Sequence, residues 1–308
     1  MKSKVKWILT AFGVVTVVIL FRTLLFTLCS IPSRGMEGNL LQGDRIYVTK
    51  WAYGYRLPYS TLRIKERQPK HGDILLFNNP VDTAALAVYN KSLYLSRCVG
   101  LPGDTIYVDT LFHYQDSYMY FNPDQKQLYS YPRIFEDEID SLLTLLRINS
   151  NSIIGQDSMT YIRSFTAYEH YLLTQATVGL DSLQIKPNEA NKQLLYPIEV
   201  PKKDKSIQIT PWNRVLIYNT ILLHENKNIR LKNNQLVLNE KPITQYTFTQ
   251  NYYWMAANNS INLSDSRLFG FVPHSHLIGK ASFIWFSKDP LQSFWKGYRW
   301  DRFFNSIY

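Results

Sequence analysis

The chain has 308 residues, 45% of them hydrophobic and 19% charged, enough apolar material for one large or two smaller cored domains and too much for a disordered tail. Its formal charge of +10 is scattered, with no basic run longer than Lys202-Lys203, so a solvated basic surface is expected and a nucleic-acid platform is not. Two cysteines, Cys29 and Cys98, supply neither a disulfide framework nor a CxxC metal site, and both are expected to be small buried hydrophobes.

At the N-terminus, Trp7 to Phe21 carries no charge and is followed by Arg22 and a second apolar run, Thr23 to Ile31. A membrane-spanning helix needs roughly 20 mostly apolar residues, so the first run must borrow from the second, with Arg22 snorkelling to the interface. Lys2, Lys4 and Lys6 precede the run, which keeps the N-terminus in the cytoplasm and sends the rest of the chain across the membrane. No A-x-A site follows, and Leu28 before Cys29 does not suit a lipoprotein cleavage site. Residues 1–30 therefore read as a cytoplasmic N-terminus with one retained transmembrane helix, not a cleaved leader.

Beyond the anchor, "DRIYV", "GDILLF", "LYLSRCV", "DTIYV", "QLVL" and "SFIWF" are short, β-branched and aromatic, and bounded by turn residues. They predict a mainly β core. Phe135, Ile139, Leu142, Leu143 and Leu146 repeat at helical spacing after Pro132, and Thr210-Pro211 offers a cap followed by proline at the first helical position. Residues 109–245 are more polar and rich in Asn and Gln, and read as an inserted α+β region with two or three helices. The inserted region divides the core into residues 31–108 and 246–308. The Phe135 to Leu146 helix is expected to serve its local core. His274 and His276 lack a third ligand or an HExxH pattern, so no metal site is expected. The ending "FWKGYRWDRFF" fits either a membrane interface or a surface strand with one packed face.

Several blocks then carry a specific resemblance: "IPSRGMEGNLLQGDRIYVTKWAYG", "HGDILLFNNP", "LYLSRCVGLPGDTI" and "DSRLFGFVPHSHLIGKA". In order and spacing they resemble the type I signal peptidases, membrane-anchored Ser-Lys proteases that remove signal peptides from exported proteins. "YPIEVPKKDKSIQIT", "YTFTQNYYWM" and "RWDRFF" are similar to the long-insertion branch of that family. The resemblance implies a signal-peptidase-type β core, no cofactor, and signal peptides or exported preproteins as substrates.

It also exposes what this chain lacks. In such enzymes a lysine kept neutral by burial takes the proton of a serine. The family pattern P-S-x-S-M puts the nucleophile at Gly35, and I-K-R-x-x-G-L-P-G-D puts the base at Ser96. Neither residue can do that work. Where the family has M-G-D-N-R and a serine before D-S-R, this chain reads "MAANNSINLSDSR": Ala256 and Ala257 replace the Gly-Asp pair and Asn259 the arginine. The replacement for that serine is Asn262 or Ser264, depending on where the gap falls. Ser33 remains at the position whose hydroxyl helps bind the oxyanion, and Asp265 with Arg267 keeps the expected ion pair. The substrate cleft would be formed by Ile31, Pro32, Met36, Leu40 and Leu95, with Arg34 partly filling it.

The expectation is thus a catalytically inactive copy in the cytoplasmic membrane, its body periplasmic or extracytoplasmic. It would bind signal peptides by strand addition or assist an active relative, with the lipid bilayer as its other partner. Two alternatives stay open: a working enzyme with its nucleophile relocated to Ser33, and a structural protein acting through its insertion. Lys91 does not activate the first, since five residues before Ser96 in one continuous strand it faces the opposite side.

Overall fold

All six stretches read as strands are strands in the computed structural model, which describes residues 7, 10–16, 25–57, 60–108, 114–115, 124–148, 151–177, 183–187, 195–259 and 265–307. The principal sheet uses β1 (Phe26–Ser30), β2 (Asp44–Thr49), β3 (Ile74–Asn78), β4 (Leu93–Gly100), β9 (Tyr252–Ala256) and β10 (Leu277–Ser287). Its order is β1-β2-β10-β3-β4-β9, continued by Val272–Pro273. All these pairings are antiparallel, and register shifts in the β2–β10, β10–β3 and β4–β9 ladders bend the sheet.

Alternation along these strands separates two cores. Ile46 and Val48 of β2 join Ile74, Leu76 and Ile284 on one face, under Ile31, Met36 and Leu40. Leu75, Phe77, Cys98, Tyr253 and Met255 form the other. Every residue of β3 is buried, which is why Ile74 to Phe77 form a continuous apolar run with no polar face. Both cysteines are free; Cys98 is buried and Cys29 partly so, and burial raises both thiol pKa values.

The region 109–245 is not one unit. Its first part pairs β6 (Lys126–Pro132) with β7 (Thr160–Thr166) and packs α1 (Glu136–Leu145) and α2 (Ala167–Ala176) around Tyr131, Ile139, Phe165 and Leu173. The predicted helical face is the one buried: Ile139 and Leu143 are in this core, with Phe135, Leu142 and Leu146 against it. Glu136, Asp137 and Glu138 in the first turn of α1 complement its dipole. The second part instead shares the main body. There β8 (Tyr196–Glu199) pairs with β5 (Thr105–Val108), and Leu216, Ile217 and Ile221 of α3 (Arg214–His224) bury in a cluster with Val99 and Trp254. Thr210 does cap this helix: its Oγ1 accepts from Asn213 N–H at 3.3 Å, Asn213 Oδ1 accepts from Thr210 N–H at 2.8 Å, and Arg214 N–H already bonds Thr210 C=O.

Two expectations are corrected. Phe26–Ser30, counted with the anchor on sequence, is a strand with every residue paired to β2, from Phe26↔Thr49 to Ser30↔Arg45. A helix cannot borrow from it. Residues 10–16 are helical, and among the described residues no helix is long and apolar enough to cross a membrane; residues 8, 9 and 17–21 of the first apolar run lie outside them. The C-terminal aromatic stretch is not a strand either, apart from a bridge between Lys288 and Tyr298 and the pair Asn305–Ser306. It is a series of turns in which Phe294, Trp295, Trp300 and Phe304 are exposed while Phe303 and Tyr298 pack on Phe286. Two of its basic groups turn inward. Arg302 Nη2 donates to Asp44 Oδ2 at 2.7 Å and Arg299 Nη1 lies 3.8 Å from the same carboxylate, which is fully buried and also accepts from Ser287 Oγ at 2.6 Å.

Candidate functional site

Residues 35–39 form a turn at the end of the "IPSR" segment, closed by Glu37 N–H to Arg34 C=O at 3.2 Å and Leu40 N–H to Met36 C=O at 2.9 Å. Ile31 N–H donates to Asp44 C=O and Gly43 N–H returns to Ile31 C=O, so the segment is tied back to the start of β2. Gly43 is required there: its φ is +92°, and an added Cβ would collide with the Lys288 carbonyl. Gly35 differs. It is buried, its carbonyl accepts from Asn259 N–H at 3.0 Å, and it is not among the glycines at positive φ. Its φ does not call for glycine.

Ser96 lies in the middle of β4, fully buried and opposite Leu75 of β3. Alternation puts it on the face of Tyr94 and Cys98, and Met255 of β9 stands opposite Cys98. That face is apolar, the setting that would lower a lysine's pKa, but Ser96 offers only a hydroxyl. Leu95 and Arg97 point to the other face, where Leu95 packs against the cluster of Ile31, Met36 and Leu40.

The residues expected to line a cleft therefore divide. Ile31, Met36 and Leu40 are core residues and Leu95 is partly buried, while Pro32 is exposed. Ser33 is half-buried between Pro32 and Arg34, and the half-exposed Arg34 side chain reaches back to Glu37, 3.6 Å away. Asp265 and Arg267 pair at 2.6 Å. Asp265 is fully buried; it also accepts from Ala257 N–H at 2.7 Å and caps the short helix Ser266–Phe269 through Arg267 N–H. Arg267 continues to Asn259 C=O at 3.4 Å, so the pair supports the residue that holds the Gly35 carbonyl. Asn262 and Ser264 lie outside the described residues. Lys91 precedes β4 and donates to Pro80 C=O at 3.4 Å; burial lowers its pKa and Asp82 opposes that shift.

Sequence reasoning missed the polar network around this turn. Arg97, 3% exposed, donates from Nη2 to Asn39 Oδ1 at 2.6 Å and to Asp124 Oδ2 at 3.0 Å. Asn258 Nδ2 donates to Glu37 C=O and Asn39 Oδ1, both at 3.1 Å. Lys126 Nζ stands 3.9 Å from Glu37, 4.0 Å from Glu169 and 3.2 Å from Asn151 Oδ1. Asp124 and Lys126 sit in the polar region after 109, where no local pattern marks them.

The histidines have structural surroundings. Tyr253 Oη and His274 Nδ1 are 2.8 Å apart, and the His224 and His276 rings meet edge to face at 5.3 Å. Burial lowers the pKa of His224 and His274 to about 4, and that of His276 to about 2 with help from His224 and Lys91. Among the described residues no group of three or more His, Cys, Asp or Glu could hold a metal ion.

Comparison of the sequence with known proteins points to one family. The sequence profile described as "Signal peptidase, peptidase S26" matches residues 4–137 and 218–286, breaking over most of the inserted stretch. Signal peptidase I of Buchnera aphidicola subsp. Baizongia pistaciae is 26% identical over 99% of this chain and 84% of its own length. Signal peptidase I of Haemophilus influenzae is 24% identical over 96% of this chain and 74% of its own, and that of Rickettsia conorii 25% over 92% and 80%.

Proposed function

Because the chain belongs to the signal peptidase family, peptidase S26, we propose that it is a membrane-anchored member that binds extended segments of signal peptides and exported preproteins without cutting them. The observation that carries this reading is the pair Gly35 and Ser96. The two positions that would supply nucleophile and base hold no ionisable or activatable partner pair, while the sheet, the 35–39 turn and the Asp265–Arg267 brace around them persist. Hydrolysis needs an activated oxygen nucleophile; holding a peptide does not.

Binding is supported by a strand edge that is open among the described residues. There β9 pairs on β4 only with Arg97 to Gly100, so Leu93 to Leu95 have a described strand partner on the β3 side alone. Cys98 exchanges backbone bonds with the 72–73 turn, so alternation aims the N–H and C=O groups of Leu93 and Leu95 away from β3. An extended peptide can add there by main-chain bonding. The proposed anchor ends before β1, leaving residues 7–25, about the length a bilayer needs. Lys2, Lys4 and Lys6 stay in the cytoplasm and the body lies in the periplasm or outside the cell. Exposed Trp295, Trp300 and Phe294 suit lipid contact, with Lys296 as the basic group beside them.

The test is photo-crosslinking of the full chain in its membrane with a signal peptide carrying the probe beside its cleavage site. Crosslinking without a cleaved product is expected, whether the chain acts alone or beside an active relative. Absence of crosslinking refutes the reading. A cleaved product that disappears in Ser33→Ala replaces it with a relocated active site, and crosslinks confined to residues 124–187 would replace it with a protein that works through its insertion.

A further inference from the structure

The 35–39 turn is held from outside at almost every residue, and two of the holding residues belong to the inserted unit. We infer that Asp124 and Lys126 are positioning residues through which that unit fixes the shape of the turn presented to a peptide; the inference rests on the peptide-binding reading above.

Asp124 acts at two points. Its carboxylate accepts from Arg97 Nη2, the nitrogen that also donates to Asn39 in the turn, while Arg97 Nη1 donates to Gly72 C=O. Its Cβ stands 3.2 Å from where a Cβ on Gly38 would be, so the Gly38 backbone, at φ +101°, lies directly against it.

Lys126 acts at two more. Its N–H donates to Asn258 C=O at 2.9 Å, and the Asn258 side chain holds both Glu37 C=O and Asn39. Its Nζ, on a side chain only 2% exposed, is placed between Glu37 of the turn and Glu169 of α2. Glu169 is not free to move, because its Oε2 accepts from Thr166 N–H in the reciprocal cap that starts α2. The ammonium therefore connects a helix start inside the insertion to the turn. Buried charges removed from one side of such an arrangement leave the others uncompensated, so loss of the ammonium should release the turn from the insertion while the insertion's own sheet and helix keep their core.

Neither residue lies on the β4 edge where a peptide would add. Their effect on binding is therefore indirect, which gives the inference its test. Full-length Asp124→Asn, Lys126→Met and Lys126→Arg are compared with wild type by hydrogen exchange of residues 33–40 and by the affinity of a fluorescent peptide spanning a signal-peptide cleavage site. In the first two variants, exchange in the turn should rise at least about tenfold and affinity should fall about tenfold, while exchange in β6, β7 and α1 stays at the wild-type level. Lys126→Arg should restore most of both. Wild-type protection of the turn in Asp124→Asn and Lys126→Met overturns the inference, as does a loosened turn with unchanged affinity, which would leave the pair a structural contact only. If exchange in β6, β7 and α1 rises too, Lys126→Arg decides: failure to restore the turn once that unit is protected again overturns the inference. A wild-type chain that binds no peptide removes the binding reading itself, and the exchange of the turn then decides separately whether the insertion clamps it.

Discussion

Restoring a lysine at position 96 should expose the electrostatics of the site by itself, before any chemistry is measured. Ser96 is fully buried, opposite Leu75 and flanked on its face by Tyr94 and Cys98. Burial of this kind lowers a lysine's pKa by up to about 3–5 units. Taking about 3 units from an ordinary value of about 10.4, at about 1.4 kcal/mol per unit, Ser96→Lys should cost about 4 kcal/mol at pH about 7 through the charge alone. The longer side chain adds about 1–3 kcal/mol of overpacking that does not depend on pH. The sign follows from proton counting. Between about pH 7.5 and about 10.4 the unfolded chain keeps a proton that the folded chain has lost, so the variant gains stability as pH rises. Urea unfolding of wild type and variant across that window should show the gap narrowing by about 1.4 kcal/mol per pH unit. A gap that stays constant would mean that the ammonium escapes to water, and that position 96 could not house a neutral base.

Three further outcomes follow from particular contacts. His224, His274 and His276 are neutral in the fold with lowered pKa values, so stability is full above pH about 6.5 and falls as pH drops through the window towards 4, by up to about 1.4 kcal/mol per pH unit for each histidine; replacing His276 with Gln should reduce that slope in acid unfolding curves. Asp44→Ala removes the carboxylate shared by Arg302 and Ser287, leaving Arg302, among the described residues, only the Asn39 C=O as acceptor, and should cost about 3–5 kcal/mol in urea, with the 288–307 segment becoming sensitive to protease; resistance there would show that the remaining contacts suffice to hold it. Arg163, 5% exposed, joins Tyr131 Oη, Asn151 C=O, Glu136 and Asp140, so Arg163→Ala should cost the inserted unit about 3 kcal/mol and raise hydrogen exchange in β6, β7 and α1 while leaving β2 and β3 protected.

Much of this fold could be read locally, because its strands are short apolar runs ended by turn residues. The helix after Pro132 could be read because Ile139 and Leu143 must face one core. Phe26–Ser30 could not: an apolar run beside a candidate anchor has the same composition in a helix or in an edge strand, and only its register with β2 decides. The Arg299 and Arg302 side chains misled for a similar reason. Basic residues among aromatics suit a lipid surface, yet Asp44 lies more than 250 positions earlier and claims both. At the site, Gly35 and Ser96 were visible because each is a substitution within a recognisable motif. The Asp124–Arg97 and Lys126–Glu37 contacts were not, since each pairs a motif residue with one whose neighbours carry no pattern. The division of 109–245 was hidden likewise, because α3 buries its apolar face against Trp254, far away in sequence.

The central claim is that loss of the hydroxyl at 35 and the amine at 96 removes hydrolysis from a scaffold that otherwise persists. Its most direct test is the cleavage of an exported precursor by the purified full-length chain in detergent, beside the double variant Gly35→Ser with Ser96→Lys. The wild type should yield no product and the double variant should cleave at the signal-peptide junction. Cleavage at that junction by the wild type would contradict the account.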